Sequence, residues 1–347
     1  MYNKDNEKID LLSLGLGELK EIVKDKLKIE KYRAEQIYSW IYKAGSFAEM
    51  SNISEKHKKL LGEYFYIKKL EIDKKLISSD GTVKYLFDLG DGNKIESVFM
   101  KYNHGNTACI SVQAGCRMNC AFCASAIGGL ARNLTPAEML LQIINIEKDT
   151  GAHVSNIVLM GIGEPLDNFD NVIKFLELVN SKDGLNIGMR HISLSTCGLT
   201  GRINELKSKN LPVTLSVSLH APNDELRGKI MPVNNKYKIK ELLQACKSYA
   251  EHTGRRISFE YILINNFNDS EQNAHELASR VKNILCHVNL IPVNRVYKNG
   301  GQEFAPPDRK KAEIFRRILE NHGINATFRR KCGDDVDASC GQLRLNN

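Results

Sequence analysis

The chain has 347 residues, 42% hydrophobic and 26% charged, ordinary globular composition with room for one large domain and a small one. Its net charge of +8 suits a nucleic-acid partner and equally a slightly basic enzyme. No apolar run approaches the ~20 residues of a membrane span, and the first 27 residues lack a basic segment followed by an apolar one, so neither a membrane helix nor a signal peptide is expected.

Residues 1–65 read as a helical module. "LGELKEIVKDKL" and "RAEQIYSWIYKAG" carry apolar residues at spacings of three and four, and Gly45 is placed to cap the second helix. Residues 66–104 contain "GTVKYLFDL" and "NKIESVFMKY" around "GDG", the pattern of a β-hairpin. From residue 105 to 347 the pattern changes. Short β-rich runs ("ACISVQ", "NIVLMG", "HISLST", "VTLSVSLH", "ISFEYIL", "HVNLIPV", "NATFRR") alternate with amphipathic helices. The first of these helices opens on Thr135, Pro136 and Glu138, a capping box with proline at N1, and the last stops at Gly323. Repeated strand–helix units of this length predict an α/β domain with a parallel sheet, barrel-like or doubly wound. In either, ligands lie at the C-terminal ends of the strands, where "GIGEP", "STCG" and "SLH" fall.

The expected compartment is the cytoplasm. Reducing conditions argue against a disulfide framework for the nine cysteines. Four of them fall in "CISVQAGCRMNCAFC". Cys116, Cys120 and Cys123 are spaced Cys-x3-Cys-x2-Cys, and three thiolates on one loop can hold three irons of a 4Fe-4S cluster, leaving the fourth open to a small molecule. A zinc site is the competing reading; it wants a fourth protein ligand, which His104 or Cys109 can supply. Among candidate binding residues, Gly163 in "GIGEP" permits close backbone approach to a ligand, and Glu164 can accept a hydrogen bond from an ammonium group. Ser195, Ser218, Leu219 and His220 stand at strand ends, where a lone polar residue is more often a cap or a satisfied core group. Glu96, in "KIESVF", reads from sequence as a solvated strand residue. Cys340, among small and acidic residues in "GDDVDASCGQL", reads as a surface thiol. Cys246 and Cys286 read as small core hydrophobes.

Phe122 stands directly before the last clustered cysteine. The Cys-x3-Cys-x2-Cys loop with this aromatic, at the head of a βα array, resembles the radical S-adenosylmethionine (SAM) superfamily. "GIGEPLDN", "LSTCG", "SLHAPNDELR", "MPVNNKY", "NLIPVN" and "GDDVDASCGQL" follow the cluster motif in order up to residue 343. With the helical module they resemble the RlmN family of dual-specificity RNA methyltransferases. The resemblance implies a partial (β/α) barrel. It implies a 4Fe-4S cluster on Cys116, Cys120 and Cys123, and SAM bound by Gly163, Glu164, Ser195, Ser218, Leu219, His220 and Asn294. It also implies methylation of carbon 2 of an adenine in 23S rRNA and of the adenine 3′ of the anticodon in tRNA.

The implied mechanism is a relay. Cys340 is first methylated, its S-methyl group loses a hydrogen, and the resulting methylene adds to the base. Glu96 is implied as proton acceptor, and Cys109 ends the turnover in a Cys109–Cys340 disulfide. A monomer served by a flavodoxin-type electron donor is implied as well. Basic residues of the helical module and of "FRRK" are candidates for phosphate contact, although a single surface charge is usually only solvated. Cys197 and Cys332 stand where the family is expected to carry a serine and a basic residue, and they receive no role. The alternatives are a carbon-8 adenine methyltransferase, against which the Gly-Glu-Pro-Leu motif and the helical module weigh, and a non-catalytic metal-binding RNA-binding protein.

Overall fold

The computed structural model describes residues 8–294 and 304–343. Helices α1 (Leu16–Asp25), α2 (Lys31–Ile41) and α3 (Glu55–Tyr64) build the N-terminal module. Leu19, Ile22 and Val23 of α1 recur on one face and bury with Ile37, Tyr38 and Ile41 of α2. Helix α2 stops at Ile41, before Gly45. The Gly45 amide is taken by the Glu49 carboxylate (3.1 Å), so this glycine belongs to the next turn and caps nothing. The parallel pair Ile9–Asp10 with Phe65–Tyr66 closes the module on itself, and Ser13 Oγ accepting the Ala137 amide (3.3 Å) and a Glu18–Lys174 ion pair tie it to the rest.

Ten strands form one sheet: β1 (Glu71–Ile77), β2 (Val83–Asp88), β3 (Lys94–Tyr102), β4 (Gly105–Cys109), β5 (Asn156–Leu159), β6 (Ile192–Thr196), β7 (Thr214–Ser218), β8 (Ile257–Leu263), β9 (Cys286–Pro292) and β10 (Ala326–Phe328). They lie in strict chain order. Strands β1 to β4 are antiparallel neighbours, and β4 to β10 are parallel. Helices α4 (Pro136–Thr150), α5 (Phe169–Asn180), α6 (Thr200–Ser208), α7 (Asp224–Ile230), α8 (Ile239–Thr253), α9 (Glu271–Val281) and α10 (Arg309–Asn321) make the crossovers. Right-handed crossovers in an order that never reverses put every helix on one face, and the sheet curls into an open α/β barrel. This is the expected partial barrel. The predicted hairpin is β2–β3, and it continues the same sheet through β4. Strand β1 gave no sequence signal: its residues are almost all exposed, and Lys74 and Lys75 mark it as a charged edge.

Strand alternation sorts the two faces of the barrel wall. Ile192 and Leu194 of β6, Leu215 and Val217 of β7 and Phe259 and Tyr261 of β8 are buried in the main core. Their alternates point inward and, Ile262 excepted, are polar. One inward row crosses Ser195, Ser216, Ser258 and His287; the next crosses Ser218, Glu260, Asn289 and Thr327. The lumen is thus a polar channel, unlike the apolar packing of a closed barrel.

After β10, Arg329–Leu343 runs across the open seam. The Gly333 amide donates to Asp80 (3.1 Å), the Ser79 amide to Asp335 (3.0 Å) and Lys84 Nζ to the Asp337 carbonyl (3.1 Å), joining the strap to the β1–β2 edge. Its end reaches the cysteine loop: Ala124 N donates to Gly341 O (2.7 Å) and Ser125 Oγ to Leu343 O (2.8 Å). Amide donors, Thr82 first, hold the Asp80 carboxyl well below the usual carboxylate range, so this anchor persists at neutral pH and is lost on acidification past that range. Asp80→Ala is expected to raise hydrogen exchange across residues 333–343 while leaving the amides of β6–β8 as protected as before; equal protection of the strap in both proteins would show that Asp80 is no anchor.

Candidate active site

The cysteine loop hangs between two short antiparallel strands, Gln113–Gly115 and Leu130–Asn133. Its conformation is held from three sides. Cys116 N donates to Gly129 O (2.9 Å), Ala121 N to Ile230 O at the end of α7 (2.8 Å), and Ala124 N to Gly341 O of the strap. The Phe122 ring meets the His220 imidazole edge to face, centroids 4.8 Å apart. Cys116, Cys120 and Cys123 line a cavity of about 860 Å³ at the C-terminal mouth of the parallel strands. Burial pushes the Cys116 thiol up to about 12 and raises Cys120 likewise. The three thiols share the wall of one cavity. A cubane bonds each thiolate to a different iron, so a wall lined by thiols fits it.

The same cavity is lined by Gly163, Glu164, Ser195, Ser218 and His220. In "GIGEP", Gly163 has φ +107°, and a Cβ there would stand 2.6 Å from Gln113 Cβ. The close approach this glycine permits is therefore to its own chain. Glu164 is buried; its carboxylate accepts the amides of Leu166 (3.0 Å) and Cys197 (2.7 Å). Burial raises its pKa against those hydrogen bonds, and the oxygens retain acceptor capacity toward the cavity. Leu219 is not on the wall. It is core, and its backbone serves by donating to Glu260 O (3.1 Å). Asn294 lines a neighbouring cavity and donates from Nδ2 to Cys340 O (3.1 Å).

Two arginines organise the site: Arg227, for which the sequence alone suggests no role, and Arg329, which "FRRK" offers as a phosphate contact and which instead turns inward to Glu260. Arg227, fully buried on α7, donates to the carbonyls of Leu219 (3.1 Å), Ser218 (3.1 Å) and Cys197 (2.6 Å) and to Asn234 Oδ1 (3.1 Å). One cation thereby gathers the ends of β6 and β7. Its signal lay in "SLHAPNDELR", where a charged residue follows a strand end on a short helix. Arg329, the first residue of the strap, bends into the lumen. It pairs with Glu260 (3.5 Å), whose Oε1 also takes Asn289 Nδ2 (3.0 Å), and reaches Met160 Sδ (3.1 Å). Its pKa is raised, chiefly by Cys340 beside it.

Arg329 and Cys340 line both the large cavity and an adjoining one of about 520 Å³ that also contains Cys109, Tyr102 and Cys332. Cys109 ends β4, opposite Val98 of β3. Burial pushes its thiol up to about 12. None of the nine cysteines is in a disulfide. Glu96 is not a solvated strand residue: it is 3% exposed and pairs with Lys84 (2.8 Å). It lines a third cavity with Asp335, Val336 and Asp337, under the strap and apart from the cysteines. It lies two residues before Val98, which lines the cavity of Cys109 and Cys340, on the same strand face.

Residues 110–278 match the radical SAM superfamily, and residues 9–67 match the ribosomal RNA large subunit methyltransferase N-terminal domain. A relative described as "Probable dual-specificity RNA methyltransferase RlmN" from Desulforamulus reducens is 50% identical over 99% of this chain and 98% of its own. Another so described, from Clostridium novyi, is 51% identical over 97% of this chain and 98% of its own. The chain belongs to the RlmN family. The crystal structure of a radical SAM methyltransferase from Sphaerobacter thermophilus superposes with a TM-score of 0.91 at 39% identity, covering 97% of this chain and all of that one. The protein is accordingly a radical SAM RNA methyltransferase that uses a 4Fe-4S cluster and SAM. The thiol-lined wall and the strand-end rim have the donor set such a pair of groups needs.

Two measurements test this geometry. His220 Nδ1 accepts the Ile262 amide (3.0 Å), and burial, then Arg227, lowers its pKa to about 3. The unfolded chain binds a proton below about 6.5 that the folded protein refuses, so stability is lost as pH falls from about 6.5 toward 3. The slope approaches about 1.4 kcal/mol per pH unit, and in His220→Asn the part between pH 6.5 and 5 is expected to disappear from denaturation curves. Arg329→Met leaves Glu260 buried opposite an apolar group. It is expected to cost about 2–3 kcal/mol, less than a fully buried pair because the guanidinium is partly exposed. Adding Glu260→Gln should restore part of that; no recovery in the double variant would remove the ion pair from the account.

Proposed function

We propose that the chain methylates carbon 2 of an adenine, in the peptidyl-transferase region of 23S rRNA and 3′ of the anticodon in tRNA, through Cys340. The single observation that supports this reading is the position of Cys340. It is on the wall of the cavity that holds Cys116, Cys120 and Cys123, and on the wall of the cavity that holds Cys109. A methyl carrier must reach both a radical source and the thiol that frees the product.

Carbon 2 of adenine is an aromatic C–H carbon with no electron pair to offer a sulfonium methyl group. Cys116, Cys120 and Cys123 hold the cluster, and Gly163, Glu164, Ser195, Ser218 and His220 face SAM, with Leu219 and Asn294 supporting that rim. Bound together, these two groups supply a methyl group for displacement and a radical that abstracts hydrogen. The chain does the rest. Arg329 lies beside Cys340, whose sulfur is the nucleophile that accepts the methyl group. The S-methyl carbon, once stripped of a hydrogen, adds to carbon 2 and links protein to RNA. Glu96 takes the carbon-2 proton after the strap shifts off it, and the adduct gives its unpaired electron back to the electron carrier that serves the site. Cys109 then attacks Cys340 Sγ; the sulfur–carbon bond breaks, its electron pair takes up a proton to complete the methyl group, and a Cys109–Cys340 disulfide remains.

The base must be presented unstacked. At the rim of the smaller cavity, Arg330 lies over the Tyr102 ring (5.7 Å), which stacks on His104 (5.1 Å), a surface suited to a base and its phosphate. We assign the helical module, residues 1–65, to RNA binding, residues 66–104 to the hairpin linker and residues 105–347 to catalysis. The enzyme acts as a cytoplasmic monomer supplied with electrons by a flavodoxin-type donor. No helix among the described residues is long and apolar enough to cross a membrane.

Anaerobic reconstitution with iron, sulfide, SAM and an rRNA fragment, followed by nucleoside mass spectrometry, is expected to yield 2-methyladenosine. Finding only 8-methyladenosine would reassign the regiochemistry. Cys340→Ala should lose all methylation. Cys109→Ala should keep its cluster, still cleave SAM and accumulate a covalent protein–RNA adduct; loss of the cluster instead would make Cys109 a ligand.

A further inference from the structure

Cys332 has no part in the relay, yet the fold carries it to the relay's two thiols. The strap doubles back on itself after Cys332. Gly333 takes φ +64°, Asp334–Val336 make one tight turn, and the amides of Val336 and Ala338 return to the Gly333 carbonyl (3.3 and 2.9 Å). Ser339 Oγ then donates to the Cys332 carbonyl (3.1 Å), so Cys340 follows directly on a residue bonded to Cys332. Cys109, Cys332 and Cys340 line one cavity.

The surroundings are not those of a filler cysteine. Arg329, Arg330 and Lys331 line the same cavity, and among the described residues no Asp or Glu does. Cys332 Sγ lies 3.5 Å from the Tyr102 hydroxyl. Burial raises the pKa of that phenol, so it keeps its proton and can donate to a thiolate. A thiol that shares one cavity with two others is placed for thiol–disulfide exchange with them.

We propose that Cys332 is a third thiol of the relay, which takes Cys109 out of the Cys109–Cys340 disulfide and returns Cys340 as a thiolate. The proposal rests on the relay reading above. The Cys332 thiolate attacks Cys109 Sγ; the Cys109–Cys340 bond breaks, a Cys109–Cys332 bond forms, and Cys340 leaves with the electron pair. Oxidation state is unchanged in this step. An external dithiol then reduces the Cys109–Cys332 bond with two electrons and two protons, becoming a disulfide itself. The direction follows from the leaving groups. Burial makes Cys109 a poor leaving thiolate, whereas Cys340 departs beside the Arg329 guanidinium. Cys340 is thereby open to its next methyl group before any reductant has reached the buried Cys109.

The test is disulfide mapping of the reconstituted full-length enzyme after one anaerobic turnover on an rRNA fragment without added thiol, quenched in acid with alkylation. The expected result is a Cys109–Cys332 bond, with Cys340 alkylated or S-methylated, and a Cys109–Cys340 bond in Cys332→Ser. When the dithiol is limiting, that variant should also show a severalfold loss of S-methylation at Cys340 after turnover. Methylated RNA with only Cys109–Cys340 in the wild type overturns the proposal and leaves the relay intact. Methylated RNA with no disulfide at Cys109 overturns the relay and the proposal together. The wild-type map decides the matter even if the variant does not fold.

Discussion

The site depends on one cation bent into the mouth of an open barrel. Arg329 is the residue at which the chain leaves its last strand, and its guanidinium turns inward to Glu260 and Met160 rather than outward to water. A carboxylate buried in a polar row between Ser218 and Asn289 needs a positive partner. Meeting that need from the C-terminal side draws the strap across the lumen, which sets Cys340 between two cavities. The electrostatic partner of the floor and the carrier of Cys340 are thus the same segment.

Openness of the barrel follows from the strand order. Ten strands in chain sequence leave β1 and β10 as unjoined edges, and a seam remains that no strand fills. A closed barrel packs its interior with branched side chains; here serines, asparagines and carboxylates face inward, and the strap covers the seam through Asp80, Ser79 and Lys84. It is held there by hydrogen bonds to loops and side chains and not by ladder pairing. Arg227 performs the complementary task at the neighbouring strand ends, where its donors gather the carbonyls of Cys197, Ser218 and Leu219.

Much of this was legible in residue order. The βα alternation, the capping box at Thr135 and the three-cysteine loop with Phe122 all rest on local chemistry, which neighbouring residues express in full. Other features were not legible. Glu96 read as a solvated strand residue because nothing nearby in sequence reveals the Lys84 pair or the strap above it. Gly45 read as a helix cap because its capture by Glu49 is a side-chain event. Strand β1 has no alternation at all, since an exposed edge places no demand on side-chain pattern.

The sequence by itself determined the kind of fold, the family and the thiols available for chemistry, because periodicity, spacing and motif order are one-dimensional properties. Which cavity each thiol faces was decided only by tertiary structure. Cys109, Cys332 and Cys340 lie far apart or on opposite arms of a turn, and they meet only when the strap closes the seam. Their meeting depends on contacts that join the strap to the β1–β2 edge and Arg329 to Glu260, and contacts between residues so distant in the chain leave no mark on its local pattern.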